Sequence, residues 1–152
     1  MKRLVFESLN EMNFQRKMND PLGALGIGQK SMIEKWLKEN DVRNYNINDD
    51  LTIDVNNCLD LNNRRDIIKF PDYIQFNETK YYVSLTNCNL TSLKGCPQII
   101  NDHFFCDDNS IISLEGCPTY VKGEFFFQYN RNKKFTEKEI RKRCKIGGSV
   151  YL

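Results

Sequence analysis

Between residues 83 and 130 the apolar positions come in short alternating bursts that recur. Val83 and Leu85, Phe104 and Cys106, and Phe125 and Phe127 are spaced one residue apart, and each pair follows the last by 21 residues. Successive side chains of a strand point to opposite faces, so each pair predicts a short strand with those two residues turned inward. A polar or thiol position follows at Cys88, Asn109 and Asn130, and apolar positions return at Leu90 and Leu93 and at Ile111 and Leu114. Gly95-Cys96-Pro97 and Gly116-Cys117-Pro118 complete the unit. Self-similarity at such a period is the signature of stacked repeats that share one interior. A buried Asn109 is then expected to bond the free backbone groups of adjacent turns, with the Cys88 thiol donating more weakly in its place. Pro97 and Pro118 belong on the return side, where no ladder hydrogen bond is required of them.

The phrase Phe104-x-Cys106-x-x-Asn109-x-Ile111-x-x-Leu114 has the order L-x-L-x-x-N-x-L-x-x-L, and Phe125-x-Phe127-x-x-Asn130 begins it again. This resembles a leucine-rich repeat of the short kind, about 20 to 21 residues, found in bacteria and tailed bacteriophages and often carrying a Gly-Cys-Pro phrase. The resemblance spans roughly residues 58–132 and implies an α/β fold: a short solenoid with a parallel sheet. Leu59-Asp60-Leu61 with Ile67-Ile68-Lys69-Phe70-Pro71 reads as an earlier, degenerate unit. Pro71 precedes Val83 by 12 residues and Pro97 precedes Phe104 by 7, which predicts an insertion of five, placed as a protruding loop around Asn77-Glu78-Thr79.

An open stack exposes core and strand edges and needs caps. SMIEKWLKEN predicts an amphipathic helix with Ile33, Trp36 and Leu37 on one face and Ser31 and Glu34 as a capping box. LTIDVNNCLDL then predicts two strands joined at Asn56-Asn57 as a two-residue hairpin turn. Downstream, Thr136 and Glu139 form a second capping box before a helix to about Cys144, a break at Gly147-Gly148, and a last strand Val150-Tyr151-Leu152. The predicted organisation is an irregular arm over 1–28 and one capped domain over 29–152. The latter divides into an amino-terminal cap (29–57), repeats (58–132) and a carboxy-terminal cap (133–152). The arm, with Pro21 and its neighbouring glycines, shares with the Gly-Cys-Pro repeats the style of small proteins encoded by tailed phages.

Composition narrows the class. The 152 residues are 40% hydrophobic and 28% charged with net charge +2, which excludes wholesale disorder and points to no partner by charge alone. No apolar run approaches the roughly 18 to 20 residues that cross a bilayer. Leu4-Val5-Phe6 stops at Glu7, short of a secretory signal, so the protein is expected to stay in the host cytoplasm, or in the virion if it docks there through its arm. Of six cysteines, Cys88, Cys96, Cys106 and Cys117 fall on repeat positions and are expected to be packed thiols; no cofactor or structural metal is expected.

Reading outward along the strands gives three columns: Tyr82, His103 and Glu124; Ser84, Phe105 and Phe126; Thr86, Asp107 and Gln128. Phe105 and Phe126 form an aromatic step on a polar face, with His103 near Glu124. Exposed aromatics ringed by polar groups are typical anchors, so these nine residues are the expected site for a protein or peptide partner. Two other covers for the rings stay open: the arm, through Phe6, Phe14 or Leu22, and a second copy of the chain. Catalysis by His103 and Glu124 lacks a third orienting group or nucleophile, and Asp107-Asp108 reads as a solvated turn rather than a cation site. A basic run, with Lys138, Arg141, Lys142, Arg143 and Lys145 at its heart, suits nucleic-acid phosphates as an alternative; it is equally the wet face of a capping helix. The expected function is thus non-enzymatic partner binding on the sheet face, with docking in a phage particle and nucleic-acid binding as alternatives.

Overall fold

Residues one repeat apart lie side by side. Val83 pairs with Phe104 and Phe104 with Phe125, while Ile99 pairs with Tyr120 and Ile100 with Val121. The computed structural model describes residues 24–152. Most of the expected arm, with Phe6, Phe14 and Leu22, lies outside the described residues.

The protein is a parallel-sheet β-solenoid with helical caps. Helix α1 (Ala24–Glu39) leads into β1 (Tyr45–Ile47) and β2 (Ile53–Val55), an antiparallel pair. Each turn of the solenoid then supplies one strand to each of two sheets. These strand pairs are β2 with β3 (Leu59–Asp60), β4 (Phe76–Thr79) with β5 (Val83–Ser84), β6 (Ile99–Ile100) with β7 (Phe104–Phe105), and β8 (Tyr120–Val121) with β9 (Phe125–Phe126). After α2 (Glu137–Arg143), β10 (Lys145–Ile146) and β11 (Val150–Tyr151) complete the stack. The six-stranded sheet runs β1-β2-β4-β6-β8-β10 and the five-stranded sheet β11-β9-β7-β5-β3. The repeat pattern anticipates the five-stranded sheet; the second sheet also repeats at 21 residues, Ile99–Ile100 against Tyr120–Val121, but each of these strands buries a single residue and carries no alternating apolar pair to mark it.

The interior follows the expected parity. Val83, Leu85, Phe104, Cys106, Phe125 and Phe127 are all buried in one core with Leu90, Leu93, Ile111 and Leu114. Phe104 and Phe125 meet edge to face with centroids 5.0 Å apart. Asn109 is buried as expected. Its Oδ1 accepts from the Cys88 and Leu90 N–H groups at 3.2 and 3.0 Å, and its Nδ2 donates to the Leu85 and Asp107 carbonyls at 2.8 and 3.1 Å. The Cys88 thiol donates to the Leu61 carbonyl at 2.9 Å. Burial pushes the Cys96 and Cys106 thiols up, out of the range where thiolate chemistry occurs. All six cysteines are free, and only Cys58 is not fully buried.

The Gly-Cys-Pro phrase has a backbone cause. Gly95 and Gly116 have φ of +88° and +81°, and a Cβ on Gly116 would lie 2.5 Å from the Leu93 carbonyl oxygen of the turn below. The chain must turn left-handed there and also touch the preceding coil, and only glycine permits both. Gly116→Ala is therefore expected to lower stability by at least about 2 kcal/mol, read as a fall in the thermal midpoint. A neutral result would mean the coils can part at that corner without cost.

Three local expectations are corrected. Asn56-Asn57 is not a hairpin turn, because Ile53–Val55 and Leu59–Asp60 belong to different sheets; the segment is a corner of the solenoid, and the hairpin joins β1 to β2 across residues 48–52. Apolar alternation is the same for strands that fold back and strands that turn a corner. Asn77-Glu78-Thr79 does not protrude: it lies in β4, with Thr79 fully buried. Leu59 pairs with Val83, so that turn is three residues longer than the next, and part of the excess is a register shift opposite Ile53 and Asp54. Ser31 and Glu34 do not cap a helix, since α1 begins at Ala24, within the expected arm. A three-residue spacing also occurs one turn apart inside a helix. Ile33 and Leu37 are buried as expected, and Trp36 stands edge-on to Phe70 and Phe76 at 5.9 and 6.3 Å.

Candidate functional site

The outer face of the five-stranded sheet carries the expected columns, because β5, β7 and β9 pair in register. Tyr82, Thr86, His103, Phe105, Asp107, Glu124, Phe126 and Gln128 are all half-exposed there. Ser84 is not. It is 4% exposed, and its hydroxyl donates to Asn62 Oδ1, which also accepts the Thr86 N–H at 3.0 Å. Asn62 occupies the Thr86 column one turn earlier. The 24-residue offset of that longer turn hides it from a 21-residue reading.

The central column is an aromatic ladder. Phe105 and Phe126 stack at 4.8 Å with planes 12° apart, and Phe126 stacks on Tyr151 at 4.7 Å and 8°. Tyr82 and His103 flank Phe105 at 6.1 and 6.0 Å. In-register parallel strands impose this spacing on like residues. Tyr151 was visible as part of a last strand but not as a member of the column, because α2 lengthens the final turn and Tyr151 follows Phe126 by 25 residues.

The polar neighbours are committed to the backbone. His103 Nδ1 accepts the Glu124 N–H at 2.9 Å, and its Nε2 lies 3.4 Å from Asp102 Oδ1. The Glu124 carboxylate instead accepts the Tyr151 hydroxyl at 3.2 Å. His103 and Glu124 are thus adjacent through main chain, and their side chains do not form an acid-base couple. Gly123 makes this contact feasible, since a Cβ there would lie 2.5 Å from His103 Nδ1. Asp107 Oδ1 accepts the Gln128 N–H at 2.6 Å, and desolvation raises its carboxyl above the usual range. The Tyr82 hydroxyl is pushed up to about 12 by the neighbouring Cys58 thiol, by partial burial and by the Asp60 carboxylate. Among the described residues, no group of three or more His, Cys, Asp or Glu side chains converges to hold a metal ion.

The basic segment is divided by the fold. The Thr136 and Glu139 capping box forms as expected, and hydrogen bonds from Thr136 hold the Glu139 carboxyl below the usual range. Arg141 is tied down: Nε donates to Glu137 at 2.7 Å, Nη1 to the Ile146 carbonyl at 3.1 Å and Nη2 to the Gly148 carbonyl at 2.9 Å. Its fork closes the turn between β10 and β11, which sequence alone did not show. Lys138, Lys142, Arg143 and Lys145 remain exposed.

Among the described residues, no helix is long and apolar enough to cross a membrane. Comparison with known proteins returned no matching family model, no matching curated protein and no matching solved structure.

Proposed function

We propose that the outer face of the five-stranded sheet is a recognition surface for a protein or peptide partner and that the protein is a non-enzymatic binding module. The observation that carries this reading is the Phe105–Phe126–Tyr151 ladder, three stacked rings with accessible edges on a face otherwise made of polar groups. Rigid aromatic side chains lose little conformational entropy on binding and are the residue types most enriched where interfaces concentrate their energy. The proposal takes the repeats as leucine-rich-repeat-like and phage-encoded, on the strength of the L-x-L-x-x-N order and the Gly-Cys-Pro turns. Six free thiols suit a reducing compartment such as the cytoplasm.

Phe105→Asp and Phe126→Asp separate recognition from mere sheet stabilisation. Each removes ring stacking from a half-exposed position, so each is expected to fold, with a loss of roughly 1 to 2 kcal/mol. Circular dichroism should be unchanged, while capture of a partner from host extract is abolished. Folded variants that capture the partner as well as the wild type would dismiss the face as the site.

A further inference from the structure

Among the described residues the two sheets end differently, at β10 and at β11. β10 carries the exposed Lys145 and follows Lys142 and Arg143, charges of the kind that protect an edge from pairing. β11 is Val150–Tyr151, with no charge, and among the described residues it pairs with no strand but β9. The Ser149 and Tyr151 carbonyls accept the Phe125 and Phe127 N–H groups at 2.9 and 2.8 Å. Strand groups alternate in direction, so the N–H and C=O of Val150 point away from β9, off the end of the sheet.

Beside that edge lies a groove of about 370 Å³ whose lining includes Phe127, Tyr129, Phe135 and Leu152 with Lys133 and Lys134. Tyr129 and Leu152 are exposed, and neither lysine has an ion-pair partner among the described residues. Lys133 lies over the Phe135 ring at 4.9 Å. The groove therefore offers apolar area and positive charge together.

We infer that β11 is a site of strand addition and that its occupant is an extended acidic peptide bearing an aromatic residue. The peptide backbone pairs with Val150, its aromatic ring continues the ladder on Tyr151, and its carboxylates meet Lys133 and Lys134. A second copy of the chain fits less well. Stacking turn on turn would set β11 against β3, the open edge of the same sheet, but would also set β10 against β2, whose outer edge β1 already occupies. Pairing β11 with β11 about a two-fold axis brings the Lys133 and Lys134 pairs toward each other. This inference rests on the reading of the sheet as a recognition surface and specifies the partner's chemistry and where it docks.

The test is selection of random short peptides, displayed as messenger-RNA fusions, on the intact protein. Enriched peptides should alternate apolar or aromatic residues with Glu and Asp. They should bind Val150→Pro at least about tenfold more weakly, because proline removes the outward N–H and edge positions tolerate it. Lys133→Glu with Lys134→Glu should weaken binding similarly. Methylating alternate peptide amides should abolish binding to the wild type in one register only, a result that does not depend on any variant folding. No enrichment on the intact chain, as an edge already filled by another segment would produce, overturns the inference. So does a dimer that Val150→Pro dissolves. Peptides that ignore Val150→Pro and N-methylation but are lost on Phe126→Asp overturn strand addition and leave the face reading standing; peptides indifferent to both substitutions overturn both.

Discussion

Asn109→Ala is expected to lower the unfolding free energy by roughly 3 to 5 kcal/mol, since each buried group left without a partner costs about 1 to 3 kcal/mol. The side chain is 1% exposed and joins two turns of the solenoid. Without it, the Cys88 and Leu90 N–H groups lose their acceptor, and the Leu85 and Asp107 carbonyls lose a donor. Leu90 and Cys106, beside the amide, are both fully buried. At about 2 to 4 °C per kcal/mol for a chain of this size, the thermal midpoint should fall by roughly 10 °C. Asn130→Ala supplies the scale. Asn130 is half-buried and accepts the Ile111 N–H at a longer 3.4 Å, so its loss should cost clearly less. Equal losses would show that the Asn109 amide does not join the turns in the way described.

Phe104→Ala should cost about 3 to 5 kcal/mol, and Phe105→Ala, its immediate neighbour, only about 1 kcal/mol. Phe104 is 0% exposed and packs on Phe125, so truncation opens a cavity between turns whose backbones are locked by sheet hydrogen bonds. Phe105 is half-exposed and loses mainly its stacking on Phe126. Denaturant unfolding of the two variants measures the difference directly. The two residues are the same amino acid, adjacent in one strand, and differ in which way the strand aims them. Equal costs would therefore contradict the parity on which both the core and the proposed recognition face depend.

The same parity explains how much of the site could be read in advance. Eight of the nine expected face residues stand half-exposed on the outer sheet, and Ser84 alone is covered. What escaped notice sits where the turn length changes. Asn62, which covers Ser84, and Tyr151, which ends the ladder, lie 24 and 25 residues from their column neighbours. Arg141 escaped for another reason. In a basic run it looks like one more solvated cation, and only the closeness of the Ile146 and Gly148 carbonyls shows that its fork closes a turn.

The chain's order of residues settles whatever depends on nearest neighbours along the strand and on a constant period. Which side chains face inward and the Asn109 amide between turns follow from those two rules, and the Thr136 cap from its three-residue spacing to Glu139. Packing settles what depends on residues far apart in the chain. Asn56-Asn57 became a corner rather than a hairpin, and Asn77-Glu78-Thr79 a strand rather than a loop, because each segment found its partner one turn away. Local preference is nearly the same for either outcome, and it is the stacking of one coil on the next, gaining ladder hydrogen bonds and a shared interior, that separates them.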